Sequence, residues 1–122
     1  MKNESYSHPQ RIEGYAGLGD YAAIGDGRSV ALIARDGAID WWCAPNMDSP
    51  PLFDRILDAA VGGYFQIEPV EEYRTQRRYR DNSNVLETQF ETASGRVLLT
   101  ESLNSNYAGR LPWCELARRI EG

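Results

Sequence analysis

A chain of 122 residues is the size of one ordinary domain, long enough to bury roughly two-thirds of its unfolded surface around a single core. With 42% apolar and 25% charged residues it has the make-up of a folded globular protein, not of a disordered one. A net charge of −5 argues against a nucleic-acid partner, and no apolar run approaches the ~20 residues that span a bilayer.

Residues 1–18 are polar, include Gly14 and Gly17, and contain no apolar h-region. They read as an N-terminal arm, an irregular lead-in without an export signal, which fits a cytoplasmic protein. The ordered part is expected to begin near Asp20. From there Tyr21 to Ile24, Asp26-Gly27, Val30 to Ala34, Asp36-Gly37 and Ile39 to Trp42 spell strand, turn, strand, turn, strand. Asp-Gly between apolar runs predicts hairpins with type I′ turns, whose two central residues both take positive φ.

Cys43 to Pro51 holds three prolines with Asn46, Asp48 and Ser49, a loop composition. Ser49 as N-cap, Pro50 as first helical residue, and Phe53, Ile56, Leu57 and Ala60 at helical spacing predict one short helix stopped by Gly62-Gly63. Tyr64 to Glu68 alternates and closes at Pro69, a further strand. The basic run Arg74 to Arg80, flanked by Glu71, Glu72 and Asp81, reads as a solvated strand or loop.

Leu86, Thr88, Phe90 and Thr92 oppose Val85, Glu87, Gln89 and Glu91 with period two, a half-buried strand with charges on its outer face. Ala93-Ser94-Gly95 is its turn, and Val97, Leu99 and Leu103 continue on the returning strand, with Arg96 and Thr100 on the other face. In the tail, Trp113, Leu116, Ala117 and Ile120 fit helical spacing while Cys114, Leu116 and Ile120 fit strand alternation, so periodicity leaves both open. The sum is mainly β: an antiparallel β-sandwich, or part of one, with one short helix.

His8 is the one histidine, which removes the base of serine and cysteine triads and the ligands of histidine metal sites. Cys43 and Cys114 read as buried free thiols, not as a disulfide. No metal and no cofactor are expected. Gly17-Leu18-Gly19 and Gly25-Asp26-Gly27 lack the Gly-Lys-Ser/Thr of a phosphate loop and read as turns. Asp40, Asp48, Glu87 and Glu101 lie in or beside expected strands, but a glycosidase pair must flank the scissile bond roughly 5 to 10 Å apart, a geometry sequence does not show. The cluster Asp40-Trp41-Trp42, running on to Asp48 and Phe53, has the aromatic faces and acids that suit sugar rings. Two adjacent tryptophans at a strand end nevertheless favour core or interface packing over direct sugar contact.

Gly19-Asp20-Tyr21-Ala22-Ala23-Ile24-Gly25-Asp26-Gly27-Arg28, then Ala34-Arg35-Asp36-Gly37-Ala38-Ile39-Asp40-Trp41 with Asp48-Ser49-Pro50, resemble the start of glycoside hydrolase family 15. Asn84-Val85-Leu86-Glu87-Thr88 and Arg118-Arg119-Ile120-Glu121-Gly122 are similar to later parts of that family's N-terminal, trehalase-like domain. The resemblance implies residues 19–122 as the first part of an N-terminal β-sandwich domain, within a β-supersandwich. That domain precedes an (α/α)6 catalytic barrel which hydrolyses α-glucosides with two glutamates of its own. No catalytic residue is therefore carried onto this chain, and the barrel is its implied partner. The α-glucoside would be bound only by the full-length protein. Asp40, Trp41, Trp42, Asp48 and Phe53 are implied as a domain interface or substrate rim. Uncovered strand edges in a partial sandwich favour a homodimer. A stand-alone carbohydrate-binding sandwich using Trp41 and Trp42, and an interaction domain without a sugar role, are the alternatives.

Overall fold

A computed structural model describes residues 8–104 and 114–122, so Trp113 lies outside the described residues. In chain order the strands among them are β1 (Arg11–Ile12), β2 (Tyr15–Ala16), β3 (Ala22–Gly25), β4 (Val30–Ile33), β5 (Ala38–Cys43) and β6 (Pro51–Phe53). They continue with β7 (Phe65–Gln66), β8 (Tyr73–Tyr79), β9 (Leu86–Thr92), β10 (Gly95–Asn104) and β11 (Glu115–Glu121). One sheet has the order β3-β4-β5-β6, with β7 also on β5; the other has the order β11-β10-β9-β8, and β1 pairs β2. The pairings are antiparallel, and the mainly β sandwich expected from the sequence is observed.

The two Asp-Gly hairpins form, but not with type I′ turns. Only the glycines are left-handed, Gly27 at φ 90° and Gly37 at φ 79°, and neither aspartate has positive φ. Asp26 instead turns its side chain back, Oδ1 accepting from the N–H groups of Arg28 and Ser29 at 2.8 Å each. At the second turn Gly37 N–H donates to Ala34 C=O at 3.0 Å and Ala34 N–H to Ala38 C=O at 2.8 Å. This is a three-residue connection that needs a single left-handed residue.

The helix expected after Ser49 is absent. Pro51–Phe53 is a strand on β5, with Phe53 opposite Trp42 and the two rings stacked at 6.5 Å. Residues 54–62 make turns closed by Asp54 N–H to Gly62 C=O at 2.8 Å. Helical spacing would have grouped Phe53 with Leu57, but burying Phe53 against Trp42 wins, and Leu57 is left exposed. The arm is also more ordered than its composition suggests, since residues 11–16 form a hairpin. The tail is a strand: Leu116, Arg118 and Ile120 stand opposite Leu103, Glu101 and Leu99 of β10, with Ile120 exposed.

The inner faces of the sheets meet in two apolar clusters. Ile24, Ala31, Ile33, Ile39 and Trp42 pack on Leu86 and Leu103; Tyr73, Phe90 and Leu99 pack with Ile67 and Val97. Along each strand of the second sheet the inward residues between these clusters are Thr75, Arg77, Thr88, Glu101 and Arg118, most of them buried. This polar belt joins the sheets. Arg77 Nη1 donates to Ile33 C=O at 3.0 Å, and Arg118 donates to the carbonyls of Phe65 and Gly37. The basic run is therefore not wholly solvated: Arg74 and Arg78 face out, while Arg77 is 6% exposed.

Gly37 holds the tightest backbone approach of these turns. A Cβ there would stand 2.0 Å from Ile67 C=O oxygen, on a backbone already left-handed, whereas one at Gly27 would meet nothing within 4 Å. Gly37→Ala is expected to cost roughly 3 kcal/mol or more and Gly27→Ala only about 1 kcal/mol, as read by urea unfolding. Equal losses at the two positions would refute this account of the turns.

Candidate functional site

Asp40 occupies a β-bulge. Leu32 pairs Trp41 and Ile33 pairs Ile39, so Asp40 is the extra residue and its side chain leaves the sheet on the face away from the apolar core. There it is 0% exposed, and three segments converge on it. Arg55 Nε donates to Oδ1 at 2.8 Å; Tyr21 Oη donates to Oδ2 at 2.6 Å, and Arg11 Nη2 lies 2.9 Å from the same oxygen. Arg11 also holds Asp36 with two hydrogen bonds, Nε to Oδ2 at 2.6 Å and Nη2 to Oδ1 at 3.0 Å. Burial works against the Arg11 charge, but Asp36 and then Asp40 outweigh it and raise its pKa above the ordinary value. Burial, then Asp40, likewise raises the Tyr21 phenol.

A second buried pair lies between the sheets. Glu101, 0% exposed, accepts from Arg118 Nε at 2.8 Å through Oε2, while Oε1 has no donor among the described residues. Burial raises the acid from 4.5 to about 7, against the pull of Arg118 and Arg77, and burial also lowers Arg118. Desolvation exceeds the attraction within the pair.

The residues singled out from the sequence do not share one site. Asp40 is in the ionic centre; Trp42 is in the core, with Nε1 donating to Ser29 Oγ at 2.9 Å. Phe53 is half-buried between Trp42 and Phe65, Trp41 is half-buried on the opposite face of β5, and Asp48 is exposed on the 44–49 loop. Glu87 is on the outer face as expected, but it is buried beneath Arg78 and Arg80, which pair with it at 3.0 and 3.2 Å. Asp40, Glu87 and Glu101 are thus each bound by arginine, an arrangement suited to fastening segments together. His8 Nδ1 sits 2.7 Å from Tyr73 C=O. Cys43 and Cys114 are free thiols.

A surface groove of about 670 Å³ by the β8–β9 turn is lined by Ala23, Tyr79, Arg80, Asp81, Asn82, Ser83 and Asn84, with Asp81 its one acid. Among the described residues no group of three or more His, Cys, Asp or Glu is placed to hold a metal ion. None of their helices is long and apolar enough to cross a membrane. Arg11, Tyr21, Arg55 and Arg118 carry the two centres, and sequence reasoning missed them. For Arg118 a signal existed: it is in phase with Leu116 and Ile120, as Glu101 is with Leu99 and Leu103.

Residues 13–121 match the family described as trehalase-like, N-terminal. The chain belongs to that family. It is 34% identical over 114 residues to a trehalase of Thermoplasma volcanium, covering 90% of this chain and 18% of the relative. It is 36% identical over 94 residues to a trehalase of Thermoplasma acidophilum (74% and 16%) and 33% over 87 residues to one of Mycobacterium tuberculosis (70% and 13%). The chain thus spans less than a fifth of the length of these relatives. No solved structure matches it.

In this trehalase-like N-terminal domain the two ionic centres respond differently to substitution. Asp40→Ala takes the carboxylate from buried Arg55 and leaves Arg11 to Asp36 alone, and is expected to cost roughly 3 to 5 kcal/mol by urea unfolding. A loss under 1 kcal/mol would show that the centre is not a fastening. For Glu101 the folded pKa is raised, so its contribution is fully present below 4.5 and is lost as pH rises through about 7. The stability of the wild type relative to Glu101→Gln should therefore fall between pH 4.5 and 7.5 by on the order of 3 kcal/mol. A difference independent of pH would contradict this.

Proposed function

We propose that this chain acts as the non-catalytic N-terminal β-domain of an α-glucoside hydrolase of the glucoamylase and trehalase type, glycoside hydrolase family 15, working in the cytoplasm. One observation carries the reading: a match to the N-terminal trehalase-like family over nearly the whole chain, with relatives named trehalase of which it is less than a fifth. The ionic centres support it, because their carboxylates are bound to arginines at buried positions and hold the domain's own segments. Catalysis then belongs to an (α/α)6 barrel elsewhere in the polypeptide, and this domain braces that barrel. The α-glucoside, with trehalose the first candidate, is taken by the whole enzyme. Within Asp40 to Phe53, Asp40 and Trp42 serve by fixing the fold, while Trp41 and Asp48 are the members left to reach a neighbouring surface.

The test compares the 122-residue chain with the full reading frame that carries it, both assayed on trehalose and maltose. The chain alone is expected to turn over neither, and the full frame to hydrolyse at least one. Turnover by the chain that survives repurification and is lost on changing one carboxylate would overturn the reading. Tight oligosaccharide binding by the chain, lost in Trp41→Ala, would replace it with a carbohydrate-binding module.

A further inference from the structure

The structure points to a docking face. We propose that the outer surface of the β1–β2 hairpin and the 54–64 segment receives the remainder of the trehalase-type polypeptide, an inference that rests on the N-terminal-domain reading above. In the hairpin Arg11 pairs Ala16 and Ile12 pairs Tyr15. Since Arg11 turns inward to Asp36 and Asp40, the Ile12–Tyr15 pair is forced outward, and Ile12 is 79% exposed. The 54–64 segment repeats the arrangement. Arg55 reaches inward to Asp40 with its guanidinium 3.6 Å from the Tyr64 ring centre, while Leu57 and Val61 stand 69% and 81% exposed.

The two segments form one surface. Ala59 N–H donates to Tyr15 Oη at 3.1 Å, and a Cβ on Gly14 would lie 3.0 Å from Ala59 Cβ. Ile12, Tyr15, Leu57, Val61 and Tyr64 are therefore exposed side chains of two adjoining segments, each anchored through an arginine to the same buried carboxylate. The outer face of the β8–β11 sheet is different: Arg74 and Arg96 pair with Glu91, and Arg78 and Arg80 with Glu87, so it is charged and internally satisfied.

Large apolar side chains gathered in solvent on adjoining segments mark an interaction site. The occupant follows from length. The matched segment is 13 to 18% of the trehalases it resembles, so more than four-fifths of each lies outside it. A partner tethered in the same chain is present at millimolar effective concentration or above, ahead of any free competitor.

Amide hydrogen exchange on the full reading frame and on the 122-residue chain tests this, together with the double variant Leu57→Asp, Val61→Asp in both. Amides of residues 56–64 are expected to exchange at least ~10-fold more slowly in the full-length protein. The double variant should abolish that protection while leaving β9 amides unchanged in both forms. Equal exchange at 56–64 in a full-length protein that hydrolyses trehalose would overturn the docking face and leave the N-terminal-domain reading standing. A frame that ends at Gly122, or lacks glycosidase activity, would bring both down. A dimer of the 122-residue chain, seen by sedimentation and dissolved by the double variant, would make a second copy the occupant and also overturn the proposal.

Discussion

A fully buried carboxylate needs donors for its lone pairs, and Asp40 obtains them from three separate stretches of chain. The bulge in β5 places the acid outside the apolar core, on a face that a two-layer sandwich would leave to solvent. Arg11 brings the arm onto that face, Arg55 brings the loop after β6, and Tyr21 closes the remaining side. Such an ion cluster adds little net stability over apolar packing, but losing one member leaves charge buried and unpaired. What Asp40 contributes is location: it decides where the hairpin and the 54–64 segment lie. Ile12 points outward because Arg11 beside it points in.

The polar belt between the sheets works by a related rule. Apolar clusters at both ends of the sandwich exclude water, so the polar groups in the middle take partners across the gap. Arg77 and Arg118 find backbone carbonyls on the facing sheet, at Ile33, Gly37 and Phe65. The guanidinium of Arg118 also lies 4.7 Å over the Phe65 ring, which holds β7 against the edge of the second sheet. The same requirement leaves Glu101 strained electrostatically, since one of its oxygens has no donor among the described residues.

Period-two alternation made β9 and β10 legible, because each strand has one inner and one outer face and the pattern is local. The Asp-Gly turns were legible as turns; their type was not, because the Asp26 side chain supplies hydrogen bonds that allow an ordinary backbone at the aspartate. The segment after Ser49 misled for a different reason. Its helical spacing is genuine over about two turns, but Trp42, brought close only by the fold, offers Phe53 a better burial. Asp40 appears in sequence merely as an acid before two tryptophans. A bulge leaves no periodic mark, and its partners Arg11 and Arg55 lie far away along the chain. The one missed feature with a readable mark was the Glu101 and Arg118 pair, where opposite charges occupy inward positions of neighbouring strands.

In the chemically richest stretch of the sequence, Asp40 to Phe53, three of the side chains singled out serve architecture. Asp40 is held by two arginines and a tyrosine, Trp42 fills the core and ties its indole N–H to Ser29, and Phe53 extends that aromatic stack toward Phe65. A carboxylate buried beneath three donors is out of a substrate's reach, so its chemistry is redirected into shape. Shape is also what the outer layer presents: apolar side chains facing outward on segments too short to hold themselves, kept in place by one buried charge. On the reading proposed above, a domain built in this way offers that surface to the rest of a larger enzyme. Its acids set the form of that surface from beneath, out of reach of solvent.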